Sequence, residues 1–223
     1  MAFSRSIVSC FFMVSFFMAG AACSSEPVSS LKEGAAPQVQ DDSRELPPEL
    51  LAITDRNGVS VRFDIEERVE KEGIVVLEWF NQSCPFVQKL YKNGFMQSLQ
   101  KEFRDKGVAW YVVSSTNPSH KDFLSIQKRK ELIEDWSLDA DSLLFDEAGS
   151  LGAHYKARTT PHIFIFNDGN LVYHGAVDDA PDTDSKPEDA RNFVKETLSE
   201  LLAGQEPSIN KSRPYGCSIK YAK

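Results

Sequence analysis

Apolar and polar positions along this chain follow two periods, and each period predicts its own kind of element. Residues 74–80, IVVLEWF, are β-branched and aromatic almost throughout, the composition of a central strand buried on both faces. Residues 108–114, VAWYVVS, read the same way. Between them, residues 85–106 carry apolar side chains at 86/87, 90/91, 95, 99 and 103, a helical stripe, with Pro85 suited to the first helical position and Gly107 to the end. A second helix is predicted over 119–136, with Phe123, Leu124, Ile126, Leu132, Ile133 and Trp136 facing inward. Residues 143–145 form a short strand, after which Asp146 caps a brief helix reaching about Tyr155. Residues 162–166 and 171–175 flank Asn167-Asp168-Gly169-Asn170, a hairpin turn, and 187–202 make a last helix with Phe193, Val194, Leu198, Leu201 and Leu202 on one face. Upstream, residues 50–54 and 59–65 bracket a turn at Asp55-Arg56-Asn57-Gly58 and predict another hairpin.

This order places parallel strands joined by crossover helices in the first half and an antiparallel hairpin in the second. The expected class is α/β: a mixed central sheet flanked by helices on both faces. No internal repeat interrupts it.

Residues 7–18 form a nearly continuous apolar run behind Arg5, followed by the small residues Ala19-Gly20-Ala21-Ala22. That layout predicts a secretory signal over residues 1–22, the run being well short of the roughly 20 residues that span a bilayer. Small residues directly before Cys23 resemble the lipobox of bacterial lipoproteins, which makes Cys23 a lipidation candidate; ordinary cleavage after Ala21 or Ala22 is the alternative. Residues 23–48, rich in Ser, Glu, Pro, Gln and Ala, read as a flexible tether. The expected organisation continues with a domain over 49–206 and a tail over 207–223 that carries Cys217. The expected location is outside the cytoplasm, in the periplasm or cell envelope, with membrane attachment through the lipid.

Composition narrows the function. At 41% hydrophobic and 26% charged, the chain is a soluble globular one, and its net charge of -8 without a basic cluster argues against nucleic acid as a partner. Of its four cysteines, Cys10 lies in the signal and Cys23 beside it, so only Cys84 and Cys217 serve the domain. No His, Cys or carboxylate spacing calls for a metal, and nothing calls for a cofactor.

The residues around Cys84 carry a resemblance. A buried strand, then Asn81-Gln82-Ser83-Cys84-Pro85-Phe86-Val87, then an amphipathic helix, resembles the active-site turn of the thioredoxin superfamily, and Thr159-Thr160-Pro161 is similar to its cis-proline segment. With G-x-L-V-Y-x-G-x-x-D-D over residues 169–179 and the tail Tyr215-Gly216-Cys217-Ser218-Ile219-Lys220-Tyr221, the match over residues 49–223 resembles the peroxiredoxin-like redoxin branch. Three positions depart from these patterns. Val87 stands where thioredoxins have their second cysteine. Asn81 stands where peroxiredoxins have a hydroxyl residue three before the reactive cysteine, and Thr159 where some relatives carry a cysteine.

The resemblance implies that Cys84 is the nucleophile. A helix start directs free N–H groups and the positive end of the helix dipole towards a sulfur placed there, which favours the reactive thiolate. It also implies a cis Pro161 opposite that sulfur and a Thr160 backbone that receives an extended substrate. Asn81 and Arg158 are candidates to stabilise the thiolate, His162 reads as structural, and Asp178-Asp179 as a turn cap. Cys217 is a candidate resolving thiol; pairing elsewhere and packing of the tail are the alternatives. Three functions follow: a thiol–disulfide oxidoreductase acting on protein or small-molecule disulfides with an external thiol reductant, a thiol peroxidase acting on peroxides, and a non-catalytic binding or scaffold domain of the envelope.

Overall fold

A computed structural model describes residues 52–222 of the chain. The predicted signal, Cys23 and the whole of the tether lie outside the described residues. Seven strands form one mixed sheet in the order β2-β1-β5-β4-β3-β7-β8: β1 is Ala52–Thr54, β2 Ser60–Arg62, β3 Val75–Trp79, β4 Ala109–Ser114, β5 Ser142–Phe145, β7 His162–Asn167 and β8 Asn170–Gly175. Parallel pairing joins β3 to β4 and β4 to β5, and antiparallel pairing joins β3 to β7 and β7 to β8. A two-strand ladder of β6 (Thr159–Thr160) and β9 (Cys217–Ser218) lies outside it.

Period-two alternation sorts the central strands into two cores. Val76, Trp110, Val112, Ile163 and Ile165 face one, packed by helices α2 (Pro85–Tyr91), α3 (Phe95–Arg104) and α6 (Phe193–Leu202). Val75, Leu77, Trp79, Tyr111, Val113 and Phe164 face the other, under α1 (Ile65–Glu72) and α5 (Ser150–His154). Helices therefore cover both faces, as the near-continuous apolar runs of β3 and β4 require. On β3 one position breaks that run. Glu78 is fully buried and accepts from Tyr91 Oη at 2.6 Å, Trp110 Nε1 at 2.9 Å and Gln100 Nε2 at 3.0 Å. Burial raises its carboxyl above the ordinary range against the pull of those three donors, and the network ties β3, β4, α2 and α3 together.

Several predicted elements are corrected. The helix expected over 85–106 is two, α2 and α3, because the chain turns at Lys92–Gly94, where Gly94 adopts φ 78° and donates to the Tyr91 carbonyl. The stripe ran through the break because Val87, Leu90, Met96, Leu99 and Phe103 all reach one core. The helix expected over 119–136 begins only at α4 (Ile126–Trp136), capped by the Ser125 hydroxyl, and Ile126 is exposed rather than inward. The last helix starts at Phe193 behind an Asn192 cap, its expected beginning being a separate 3-10 turn at Pro187–Asp189. Ile65 opens α1 instead of ending a strand, and the Asp64 carboxylate that caps it, three residues before Glu67, is the sequence signal for that helix. The Asp168-Gly169 turn has φ 49° and 77°, the two left-handed residues of a tight hairpin.

Candidate active site

Cys84 sits where β3 has ended and α2 begins, in the N-cap position with extended backbone (φ -81°, ψ 119°), and Pro85 opens the helix. The preceding turn is tightly tied. Asn81 accepts at its backbone carbonyl from Cys84 N (3.0 Å) and at Oδ1 from Ser83 N (2.7 Å), while Gln82 Nε2 donates to the Asp122 carbonyl (2.8 Å). Asn81 thus shapes the turn through its side-chain carbonyl. Its amide donates to Asp122.

The sulfur does not cap its own helix. No first-turn N–H bonds it, and Cys84 Sγ donates instead to the Thr160 carbonyl at 2.9 Å. The Thr160–Pro161 peptide bond is cis. Thr160 pairs antiparallel with Cys217, so one residue meets both cysteines, Cys84 at its carbonyl and Cys217 in its ladder register. Cys84, Cys217, Asn81, His120, Asp122 and Lys220 share the lining of a cavity of about 200 Å3. Both cysteines are free thiols. Burial first, then the hydrogen bond and charge of the adjoining Cys84, push the Cys217 thiol up to about 12. At neutral pH Cys217 therefore holds its proton.

Cys84, Asn81, Thr160, Pro161 and Cys217 come together here. Arg158 does not: it is exposed, no guanidinium contact with Cys84 occurs among the described residues, and its charge acts on His162 and His174. The backbone explains this, because the Arg158 carbonyl pairs with Ile219 N (3.1 Å) and the N–H with His162 Nδ1 (3.3 Å).

Asp178 does more than cap a turn. One carboxylate oxygen accepts from Ala180 N at 3.0 Å and from the Tyr215 hydroxyl, which fastens the tail. Gly216 is a site residue that sequence pattern alone does not single out. Its φ is +126°, and a Cβ there would stand 2.1 Å from the Thr160 carbonyl oxygen. Only glycine lets the tail approach this closely. Both residues were visible in motifs over 169–179 and 215–221, but nothing in a one-dimensional pattern joins them.

His162 is buried and neutral. Burial, then His174, then Arg158 lower it from 6.5 to about 3. Above pH 6.5 the imidazole is neutral folded and unfolded alike; as pH falls from 6.5 towards 3, only the unfolded chain takes the proton, so stability is lost. By pH 5 that loss is expected to reach about 2 kcal/mol. Urea unfolding at pH 7 and pH 5 measures it, and His162→Gln is expected to flatten most of the difference.

No family model matches the chain, and no curated protein matches it. Solved structures do. An uncharacterized conserved protein from Geobacillus kaustophilus is 27% identical, with TM-score 0.63 over 77% of this chain and 88% of that one. A hypothetical protein from Sinorhizobium meliloti 1021 is 19% identical, with TM-score 0.64 over 77% and 90%. The thioredoxin domain of a thiol-disulfide oxidoreductase from Bacteroides vulgatus is 20% identical, with TM-score 0.44 over 66% and 91%.

Proposed function

From the premise that this chain carries the thioredoxin-superfamily fold, we infer that it is a thiol–disulfide oxidoreductase with Cys84 as nucleophile and Cys217 as resolving thiol. One observation carries this reading: both cysteines converge on Thr160, Cys84 by hydrogen bond to its carbonyl and Cys217 by ladder register, and line one cavity.

The Cys84 thiolate attacks one sulfur of a partner disulfide. The partner's S–S bond breaks, a Cys84–partner S–S bond forms, and the leaving sulfur takes a proton. Cys217 then gives up its proton and attacks the Cys84 sulfur, which releases the second partner thiol. The partner has gained two electrons and two protons, and the chain ends with a Cys84–Cys217 disulfide. An external dithiol reverses that oxidation. The high position of the Cys217 thiol fits this order. Burial raises Cys217 first and the adjoining Cys84 thiol adds to it; a mixed disulfide at Cys84 removes that second cause, and Cys217 then loses its proton more readily. Thr160 and the cis Pro161 position the sulfur and present backbone to the partner, and Asn81 holds the turn.

The reading extends to location and partners. Residues 1–22 direct export, Cys23 takes a lipid, and the tether over 23–48 holds the domain off the membrane of the cell envelope; the apolar run, the small residues and the composition support it. Substrates are disulfides of proteins or small molecules. A second reading, a peroxiredoxin-like thiol peroxidase, has one observation in its favour, the cavity of about 200 Å3 beside Cys84, with room for a small oxidant.

Stoichiometric oxidation by a disulfide-bearing peptide, followed by mass spectrometry of proteolytic fragments, tests the first reading. A Cys84–Cys217 cross-link is expected, with release of two peptide thiols. Its absence, with sulfenic acid trapped at Cys84 after peroxide, would replace it with the second.

A further inference from the structure

The nucleophile proposed above is shut in. Cys84 is only 1% exposed, yet it must touch a partner's disulfide. What lies against it on the Thr160 side is the chain's own tail, not the core: no residue over 211–222 is buried, and β9 meets β6 through two residue pairs only. So short a ladder contributes little alone. The tail is held on either side of Cys217, by side chains and, downstream, by Ile219 N donating to the Arg158 carbonyl at 3.1 Å, Asn117 N to the Lys220 carbonyl at 2.9 Å and the Tyr221 hydroxyl to the Ala157 carbonyl at 2.9 Å. Upstream, the Tyr215 hydroxyl donates to Asp178, and its ring lies 5.7 Å from Phe86, with the Lys89 ammonium 5.6 Å over it. Downstream, Asn117 Nδ2 donates to the Lys220 carbonyl at 2.8 Å. Phe86 and Lys89 belong to α2, the helix that Cys84 opens.

We propose that β9 and its flanks form a displaceable strap over Cys84, latched by the Asp178–Tyr215 pair, and that an incoming extended polypeptide takes its place along β6. The strap occupies the one edge beside the sulfur that offers Thr160 backbone. It leaves that edge to admit the partner's disulfide and returns to bring Cys217 back onto the Cys84 sulfur. Access and resolution are thereby one movement, set by the latch. The second part rests on the oxidoreductase reading; the strap itself does not.

Two unrelated substitutions test it. Tyr215→Phe removes the latch hydrogen bond and keeps the ring. Gly216→Ala drives a Cβ against the Thr160 carbonyl and pushes β9 off its partner. In the reduced full chain, iodoacetamide labelling of Cys84, read on its own peptide, is expected to quicken by about tenfold or more in both, a factor that corresponds to about 1.4 kcal/mol of latch. Thermal unfolding of each variant is followed in parallel, and guanidinium-unfolded chain gives the limiting rate. Unchanged labelling in two folded variants overturns the strap. A variant that labels at the unfolded rate and has lost its thermal transition is replaced by Asp178→Asn, judged by the same criterion. Reaction with a disulfide-bearing peptide separates the two claims. Faster labelling without any peptide reduction leaves the strap standing and removes the oxidoreductase reading; peptide reduction with unchanged labelling does the opposite.

Discussion

Cys84→Ser is expected to abolish disulfide reduction, lowering the rate on the order of 1000-fold or more, to that of buffer with reductant. A serine oxygen at this N-cap keeps the size and polarity of the site and could still donate to the Thr160 carbonyl, so the fold has every reason to survive. What it loses is the sulfur. No S–S bond to a partner forms from an oxygen, and neither the geometry around Thr160 nor Cys217 substitutes for it, since burial still pushes the Cys217 thiol above its ordinary range in this variant. Peptide-disulfide reduction measured beside thermal unfolding checks this. Activity within tenfold of the unsubstituted chain would move the nucleophile elsewhere.

Cys217→Ser should have a different signature. The first attack stays and the second is lost, so the Cys84–partner mixed disulfide accumulates. Unsubstituted, the chain resolves that intermediate with a thiol held next to it by the Thr160 ladder, at an effective concentration above the millimolar range of a flexible tether. Without Cys217 the task falls to external thiol. Steady-state turnover at millimolar thiol is expected to fall by at least about tenfold and to become first order in that thiol. Non-reducing gel electrophoresis detects the trapped adduct, and its mass identifies the partner. If Cys217→Ser turns over normally at low thiol and traps nothing, Cys217 merely packs the tail.

These two expectations depend unequally on what a sequence reader sees. The central strands, the position of Cys84 before Pro85 and the hairpin around Asp168-Gly169 were legible from periodicity and turn chemistry, because each depends on residues a few positions apart. The resemblance added the cis Pro161 opposite Cys84. Reading along the chain failed where two local rules competed. The 85–106 stripe concealed the turn at Gly94 because both helices bury the same face, and Val59 to Ile65 looked like a strand although the Asp64 cap turns it into α1.

Sequence by itself determined the two-faced sheet, the helix start at Cys84 and the two thiols available to the domain, since all three are written in spacing and residue type. Only the tertiary structure decided that Cys217 lies across Thr160 from Cys84, that Arg158 stays apart from the sulfur, and that Asp178 fastens Tyr215. The hydrogen bonds behind those facts join residues 37 and 76 positions apart, and a close approach over that distance is set by the packing of the whole sheet and by the missing Cβ at Gly216.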